Sequence, residues 1–580
     1  MTTNMKMRLK GSNIALILAS LLTFGGVFAI ALEYDYSAVN ECKVDPLKPQ
    51  YNGGIIINSE MNDGINGWTT YGGVKIEQRS SISGNKYIVA YNRQHPYASV
   101  SYKTSLEKDN LYSFSAWIQI AGTKKTIVVG AFIKTSEGFK NLGAVEAREG
   151  CWSMLKGGIT ISSSTRSEIY FQSNDTSIEI WVDSVSLQPF TKEEWKSHQV
   201  QSIEKVRKST VRLQVLDANG KPIPNAKISL QQKKLGFPFG ASINQNIVNN
   251  GAYQKWFLQR FTVTTFENEM KWYTTENNRG KEDYSAADSM LGFTSQHGIP
   301  VRGHNIFWDD PEYQPYWVKN LSPNDLSSAV DRRLNSVVSR YAGKVIAWDV
   351  NNENLHFNFF ESKLGGDITN KFFQKTRQLD GKATLFINDY NTIEDKRDQT
   401  SSPSKYIQKL REIQSSIGGA TVGIGLEGHF HTPDLAYVRS ALDMLAATKM
   451  PIWITELDVQ AGPNMATYFE QILRELHSHP AIQGIILWGA WSPNGQCWQQ
   501  CLVDSNFNNL PGGAVLDKLI REWGGATRAT TTDDGGYFNA TLFHGTYDVN
   551  SLHLQDSMHG TSQSLVVDDN SHGQTIKLFI

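Results

Sequence analysis

Cysteine is scarce: four residues in a chain of 580 rule out a disulfide-dense scaffold. Charge of one sign is not in excess either. Lys and Arg number 56 against 57 Asp and Glu, a formal net charge of −1. This removes the broad electrostatic attraction of a nucleic-acid binder, and no nucleic-acid partner is expected. After the first 32 residues no run has the length and apolarity to span a bilayer. Wholesale disorder and a fibrous repeat are also poor readings, since apolar residues make up 40% and charged residues 19% of the chain, enough to bury sizeable cores. What the chain has is length, enough for roughly three or four domains at ~150 residues each. It is also rich in flat amphipathic rings, with 15 Trp, 22 Tyr and 26 Phe. Such rings stack on cyclic ligands, although most aromatics in any protein fill cores.

Lys6, Arg8 and Lys10 precede an apolar stretch from Ile14 to Leu32, with Ala29 and Ala31 as a small-residue cleavage region. Residues 1–32 therefore read as a secretory signal peptide or, being long enough to cross a bilayer, as an uncleaved signal anchor. Either places the bulk of the chain outside the cytosol. In an oxidising compartment Cys42, Cys151, Cys497 and Cys501 allow three pairings. Cys497 with Cys501 and Cys42 with Cys151 are the most local and domain-consistent; four buried thiols are the alternative. Asn174, Asn320 and Asn539 each open an Asn-x-Ser/Thr sequon.

Residues 51–190 read as short alternating or apolar runs punctuated by Gly, Asn and Ser, the pattern of an all-β sandwich. Thr191-Lys-Glu-Glu-Trp supplies an N-cap and an acidic first turn, so residues 191–208 read as a linker helix. From Leu235 strand-like apolar runs alternate with helix-length segments. Eight such runs are Leu235 to Ile243, Phe261 to Phe266, Pro300 to Trp308, Val345 to Val350, Ala383 to Asn388, Thr421 to Leu426, Pro451 to Thr455 and Gly484 to Trp488. Over residues 235–523 they fit an α/β fold of the (β/α)8 TIM-barrel kind, with a doubly wound sheet as the weaker alternative. Residues 209–234 and 524–580 are again strand-like and read as two halves of one small β domain, into which the barrel is inserted.

Polar and aromatic residues gather where the eight runs end, and barrel closure brings such ends to one face. Glu353 closes Ala347-Trp-Asp-Val-Asn-Asn-Glu and Glu456 closes Pro451-Ile-Trp-Ile-Thr-Glu. A carboxylate pair facing across one cleft is what glycoside hydrolysis needs. One donates a proton to the leaving oxygen and the other attacks the anomeric carbon, with retention if they stand roughly 5–5.5 Å apart. His429 and Asp458 suit the task of keeping Glu456 ionised, while Glu353 in a drier setting keeps its proton. A single strand-end Glu would mean little in any barrel; the constellation carries the reading.

The ordered motifs Glu267-Asn-Glu-Met-Lys-Trp, Arg302-Gly-His, Trp348-Asp-Val-x-Asn-Glu, Asn388-Asp-Tyr-Asn, Gly423-Ile-Gly-Leu and Thr455-Glu-Leu-Asp resemble those of glycoside hydrolase family 10, the endo-β-1,4-xylanases, across the whole barrel. The likeness is to the plant branch, in which a family 22 carbohydrate-binding module precedes the barrel. The resemblance implies a retaining enzyme that hydrolyses internal bonds of cell-wall xylan by double displacement. It implies Glu353 as acid/base, Glu456 as nucleophile, Asn352 reaching the sugar 2-hydroxyl and the nucleophile, and His429 with Asp458 behind Glu456. Glu267, Asn268, Lys271, His304, Trp308 and Trp488 would hold the non-reducing side of the chain. Tyr390 and Glu427 complete the set, and Trp498 would cap the sugar at the cleavage point. Sugars need in-plane amides, carboxylates and a Lys, with indoles on the ring faces, so the residue types agree.

This chain departs from the family at Asp309, where His is frequent, at Asn351, usually apolar, at Glu427, commonly Gln, and around Ser492 and Cys497. A third carboxylate near Glu456 would shift the acid limb of the pH profile upward. In the module, Asp63-Gly-Ile-Asn-Gly-Trp, Tyr112-Ser-Phe-Ser-Ala-Trp and Trp181-Val-Asp-Ser-Val-Ser-Leu resemble family 22. Trp117 and Tyr170 match stacking positions, and Gln172 stands for the usual Glu. The bland reading makes Trp117 core and the module a spacer. Gly423-Ile-Gly-Leu-Glu-Gly satisfies a dinucleotide string, but His429-Phe-His431 follows it instead of a helix opening. The His429-x-His431 alternation lacks further ligands for a metal site. No cofactor and no metal are expected; the partners expected are xylan and xylo-oligosaccharides, and the chain is read as monomeric. Two alternatives stand beside this: an inactive xylan-binding wall protein whose barrel has lost activity through the substitutions around the catalytic pair, and a transglycosylase that uses the same two Glu to pass the glycosyl unit to another chain.

Overall fold

A strand covered by helices outside and by layered side chains inside is apolar along its whole length, and eight such strands close here into a barrel. The computed structural model describes residues 32–499, 501–525, 528–552 and 562–579. The signal segment read from the sequence thus falls, but for Leu32, outside the described residues. The barrel strands are β1 (Phe239–Ile243), β2 (Val263–Phe266), β3 (Val301–Gly303, resuming at Phe307–Trp308), β4 (Ala347–Asn352), β5 (Thr384–Asp389), β6 (Val422–Phe430), β7 (Ile452–Val459) and β8 (Ile482–Leu487). Each pairs in parallel with the next, and β8 returns to β1.

The strands found differ from the expected runs at several places: β6 and β7 each extend four residues further than expected, and the third and first differ more. The third is interrupted by a cis His304–Asn305 peptide, after which Phe307–Trp308 continues along β4. The first begins at Phe239, because Lys227–Leu235 belongs to another sheet. Helices between the strands follow ordinary rules. The helix Pro323–Tyr341 opens with Ser322, whose Oγ accepts from Asp325 N at 3.2 Å, and with Pro at the first turn. Its Leu326, Val330, Leu334, Val337 and Val338 form the buried stripe.

Ahead of the barrel lies an all-β module of two five-stranded antiparallel sheets. One runs Trp68–Tyr71, Ser99–Leu106, Thr165–Gln172, Ile127–Thr135, Gly138–Ala147; the other Lys75–Ser80, Lys86–Tyr91, Glu179–Phe190, Leu111–Ala121, Ser153–Thr160. Phe114, Ile118, Ile169 and Phe171 are among the side chains packed between them. The outer face of the second sheet is covered as well. Tyr87, Val89, Trp117, Trp152 and Met154 form a second apolar cluster, against which Val39 packs. The covering segment is held by the Cys42–Cys151 disulfide and by Lys43 pairing with Trp152. Trp117, expected to stack on sugar, is therefore 2% exposed and is core. Cys497 is bonded to Cys501.

The helix Lys192–Val206 carries a full capping box, Thr191 Oγ1 accepting from Glu194 N while Glu194 Oε2 accepts from Thr191 N. Trp195 and Gln199 on it both donate to Glu475 of the barrel helix Met465–Ser478 at 2.8 Å. Strands on either side of the barrel in sequence pair with each other. Lys208–Leu216 lies between Tyr537–Phe543 and Thr575–Phe579; Lys227–Leu235 lies between Arg528–Thr531 and Gly545–Leu552. Val211, Leu213, Ile228, Leu230 and Val549 make their shared core.

The module is docked on the barrel through the strand Ser153–Thr160 and the helix Leu435–Ala446. Lys156 Nζ pairs with Asp443 at 2.8 Å with both side chains buried. Ser440 Oγ donates to Gly157 O at 2.7 Å, and Thr160 Oγ1 to Asp434 at 2.9 Å. Among the described residues no helix is long and apolar enough to cross a membrane.

Candidate active site

One cleft of about 2080 Å³ lies over the C-terminal ends of the barrel strands. Glu353 follows β4 directly, and Glu456 sits within β7. Both line the cleft, as do Glu267, Asn268, Lys271, His304, Trp308, Asn352, Tyr390, Glu427, His429, Trp488 and Trp498. Asp458 stands behind, touching His429.

Glu353 is held in a left-handed backbone conformation, φ 58°, with its N–H donating to Asn388 O at 2.8 Å. A non-glycine residue there costs energy that the surrounding structure must offset, and such positions gather at functional sites. Its carboxyl is 8% exposed by residue. Burial, and then the neighbouring charges of Asp389 and Glu456, push its pKa up to about 8. At neutral pH it keeps a proton, as a general acid must.

Glu456 is placed among imidazoles and an amide donor. His304 Nε2 lies 3.6 Å from Oε1, His429 Nε2 lies 3.8 Å from Oε2, and Asn388 Nδ2 donates to Oε1 at 3.3 Å. Burial opposes charge on His429, but its bonds to Asp458 (3.0 Å) and contact with Glu427 (3.5 Å) prevail and raise its pKa well above the ordinary imidazole value. His304 is oriented by Asp349 at 2.9 Å, and Asp349 is held in turn by Arg302 at 2.8 Å. Burial opposes ionisation of Asp349, yet Arg302 and His304 keep its pKa below the usual carboxylate range. Glu427, His429 and Glu456 bring ligand-type atoms within 4.8 Å of one another. His429 Nε2 reaches both carboxyl groups, 3.5 Å from Glu427 and 3.8 Å from Glu456. His431, two residues further and just past β6, pairs with Gln460 and lines the same cleft.

Glu427, the third carboxylate, is buried beside Glu456. Burial first, then Glu456 and Glu353, raise its pKa well above the ordinary value. Asn388 Nδ2 donates to its Oε1 at 2.9 Å. Two more of the departures from the family pattern are partners: Asn351 Nδ2 donates to Asp309 Oδ2 at 3.3 Å, and Asp309 also accepts from Asn354 and from Phe360 N. Burial raises Asp309 to about 6.

On the β2–β3 side, Lys271 lies over Trp308 (4.4 Å) and Trp488 (5.5 Å) and donates to Asn268 Oδ1 at 3.3 Å. Burial pulls its pKa down against four surrounding carboxylates. Trp308 stacks on Tyr313 at 4.1 Å. Glu267 accepts from Ser242 and Asn244, and burial with the charge of Glu269 raises it to about 7. On the β5–β6 side Tyr390 stacks on His356 at 3.8 Å. His356 bridges Asp389 and Asp398; burial opposes its charge, and these two carboxylates raise it to about 9. Trp498 is 70% exposed at the cleft wall.

The structure adds two residues that sequence reading did not assign. Asn388 joins Asn352, Glu427 and Glu456 through one amide and is held by Thr455 Oγ1 at 2.6 Å. Asn352, expected on the nucleophile, instead donates to Glu353 at 3.3 Å, so Asn388 is the amide that reaches Glu456. His356 is the second. In the module Tyr170 and Gln172 line the cleft, Tyr170 being 3% exposed beneath Tyr71.

Residues 228–513 match the family described as Glycosyl hydrolase family 10, and residues 53–177 match a carbohydrate binding domain. The chain is 43% identical over 476 residues to endo-1,4-beta-xylanase 5 of Arabidopsis thaliana, covering 80% of this chain and 83% of that one. It is 39% identical over 570 residues to endo-1,4-beta-xylanase 5-like of the same plant, 96% of each chain being covered. The native xylanase 10B of Thermotoga maritima superposes with a TM-score of 0.43 and 23% identity over 49% of this chain and 96% of that one. With one carboxyl group directly after β4 and another within β7 lining a single cleft, and relatives matched over most of their length, the chain belongs to glycosyl hydrolase family 10.

Proposed function

We propose that the chain is a retaining endo-1,4-β-xylanase acting on cell-wall xylan. One observation carries this reading: Glu353, whose burial pushes its pKa up to about 8, lies in the same cleft as Glu456, which is flanked by His304 at 3.6 Å and His429 at 3.8 Å. Glu353 delivers its proton to the glycosidic oxygen while Glu456 attacks the anomeric carbon. The aglycone leaves with the proton, and a glycosyl ester forms on Glu456. Glu353, now a carboxylate, takes a proton from water; the water oxygen attacks the anomeric carbon and Glu456 is released. The indoles of Trp308 and Trp488, with Lys271, Asn268 and Glu267 in the plane, suit a hydroxyl-rich pyranose. The plant relatives named as endo-1,4-beta-xylanases support xylan as the polymer.

The N-terminal module is proposed as a member of family 22, supported by its Asp63-Gly-Ile-Asn-Gly-Trp and Trp181-Val-Asp-Ser-Val-Ser-Leu motifs. A secreted, glycosylated and monomeric protein is proposed on the basic and apolar N-terminal pattern, two disulfides and sequons at Asn174, Asn320 and Asn539 that are exposed. The test is incubation of the mature protein with glucuronoxylan and arabinoxylan, followed by proton NMR of the first products. New reducing ends with the β-anomer formed first are expected. Absence of new reducing ends across a broad pH range would eliminate the enzyme reading.

A further inference from the structure

The cleft does not stop at the barrel. Its lining passes from Glu353 and Glu456, by Tyr390 and Lys396, onto the module, where Tyr71, Tyr97 and Phe139 line the same space. We propose that these module aromatics are the distal part of the catalytic binding track. A single xylan chain cut between Glu353 and Glu456 runs out over the β5–β6 side and lies on the module of the same molecule. This rests on the xylanase reading above and adds to it where the substrate goes.

Three observations carry the inference. First, the rings are presented as a platform. Tyr97 is 41% and Phe139 62% exposed, unusual for large aromatics without a partner. They are braced from behind: Tyr71 stacks on Tyr170 at 4.4 Å and His95 on Tyr97 at 5.1 Å, while Phe139 meets Tyr170 edge-on. A braced ring loses little freedom when a sugar settles on its open face. Second, the direction fits. Trp308 and Lys271 occupy the β2–β3 side of the cleft, and the module sits on the helix after β6, across the catalytic pair from them.

Third, the join is rigid. Lys156 and Asp443 pair with side chains 0% and 1% exposed, and Gly158 approaches the helix so closely that an added Cβ would lie 2.5 Å from Ala436 O. Lys396, which lines the cleft at the seam, donates to both Gly158 O (3.2 Å) and Asp434 (2.7 Å). A module on a loose tether would raise the local concentration of xylan without reading the chain being cut. A module welded in line with the cleft selects chains long enough to reach it.

The test uses the full chain carrying Tyr71→Ala, Tyr97→Ala and Phe139→Ala together. The ratio of kcat/KM on long xylo-oligosaccharides to kcat/KM on xylotetraose is expected to fall about tenfold, through KM on the long chains. An unchanged ratio in a variant that melts like the wild type overturns the proposal. A second measurement is independent of that variant: calorimetric titration of Glu353→Gln full-length protein with a long xylo-oligosaccharide. One chain bound per protein is expected; two chains per protein would mean separate sites and overturn the continuous track. If the wild type cleaves xylotetraose and long chains but either test goes against the track, the xylanase reading stands and this inference falls. If it cleaves neither, the xylanase reading itself falls and takes the track with it.

Discussion

Glu427 stands beside Glu456 in strand register, β6 against β7, with Asn388 donating to both carboxyls. Two buried carboxylates at that spacing cannot both ionise cheaply, and His429 supplies one positive charge between them. Replacing Glu427 by Gln keeps an acceptor for Asn388 and removes a carboxyl that competes with Glu456 for ionisation. The acid limb of kcat/KM against pH is expected to move to lower pH by about one unit in Glu427→Gln. A limb that stays in place would show that Glu427 is a neutral spectator.

Glu353 must carry its proton when the glycosidic bond breaks, and that proton is lost as pH rises through about 8. The basic limb of activity is therefore expected to fall as pH rises through that value. Glu353→Gln should lower kcat on xylan by roughly 10²–10⁴-fold, yet spare the first step for an aryl xylobioside whose leaving group needs no protonation. Glu456→Gln should abolish both. Equal loss on the two substrates in Glu353→Gln would contradict the acid role.

Much of this was legible from the chain, for reasons that lie in the residues themselves. Parallel strands buried on both faces are apolar runs, so eight could be counted, and Glu353 and Glu456 end two of them. Trp117 was misread because the strand Leu111–Ala121 is buried almost throughout, and its alternation does not tell which face meets solvent. The cover, anchored by Cys42, comes from a segment with no strand signal. Asn388 and His356 were missed because their meaning lies in partners far along the chain, Glu456 and Asp398, which only closure brings near. Asn351 and Asp309 looked like separate departures from the family and proved to be one hydrogen-bonded substitution.

Asp349 carries the Arg302–His304 pair at 1% exposure. Removing one partner of a buried ion pair leaves the other charge unmatched, at a cost of about 3–5 kcal/mol. Asp349→Asn should lower the melting temperature at pH 7 and slow hydrolysis by loosening His304 beside Glu456. Because folding depresses the pKa of Asp349, its contribution is present above the unfolded value of ~3.9 and is lost as pH falls through the folded value. The difference between wild type and variant should thus shrink only in strong acid, a trend that calorimetry across pH can check.

Gly158 is a point of close approach between module and barrel: a Cβ added there would lie 2.5–2.9 Å from Ala436 O, C and Cβ. A side chain there must push the helix Leu435–Ala446 away, since the clashing atoms are backbone and not the end of a flexible side chain. Displacement would pull Thr160 from Asp434, Ser440 from Gly157 and Lys156 from Asp443. Gly158→Val should therefore weaken docking of the module on the barrel. The barrel keeps its own core, as does the module, so both remain folded. Calorimetry should then resolve two unfolding transitions in the variant where the wild type shows one, with the module melting first. Limited proteolysis should open the helix Lys192–Val206 between them. A single transition at the wild-type temperature would mean that the seam contributes little, and that the alignment of module and barrel is set elsewhere.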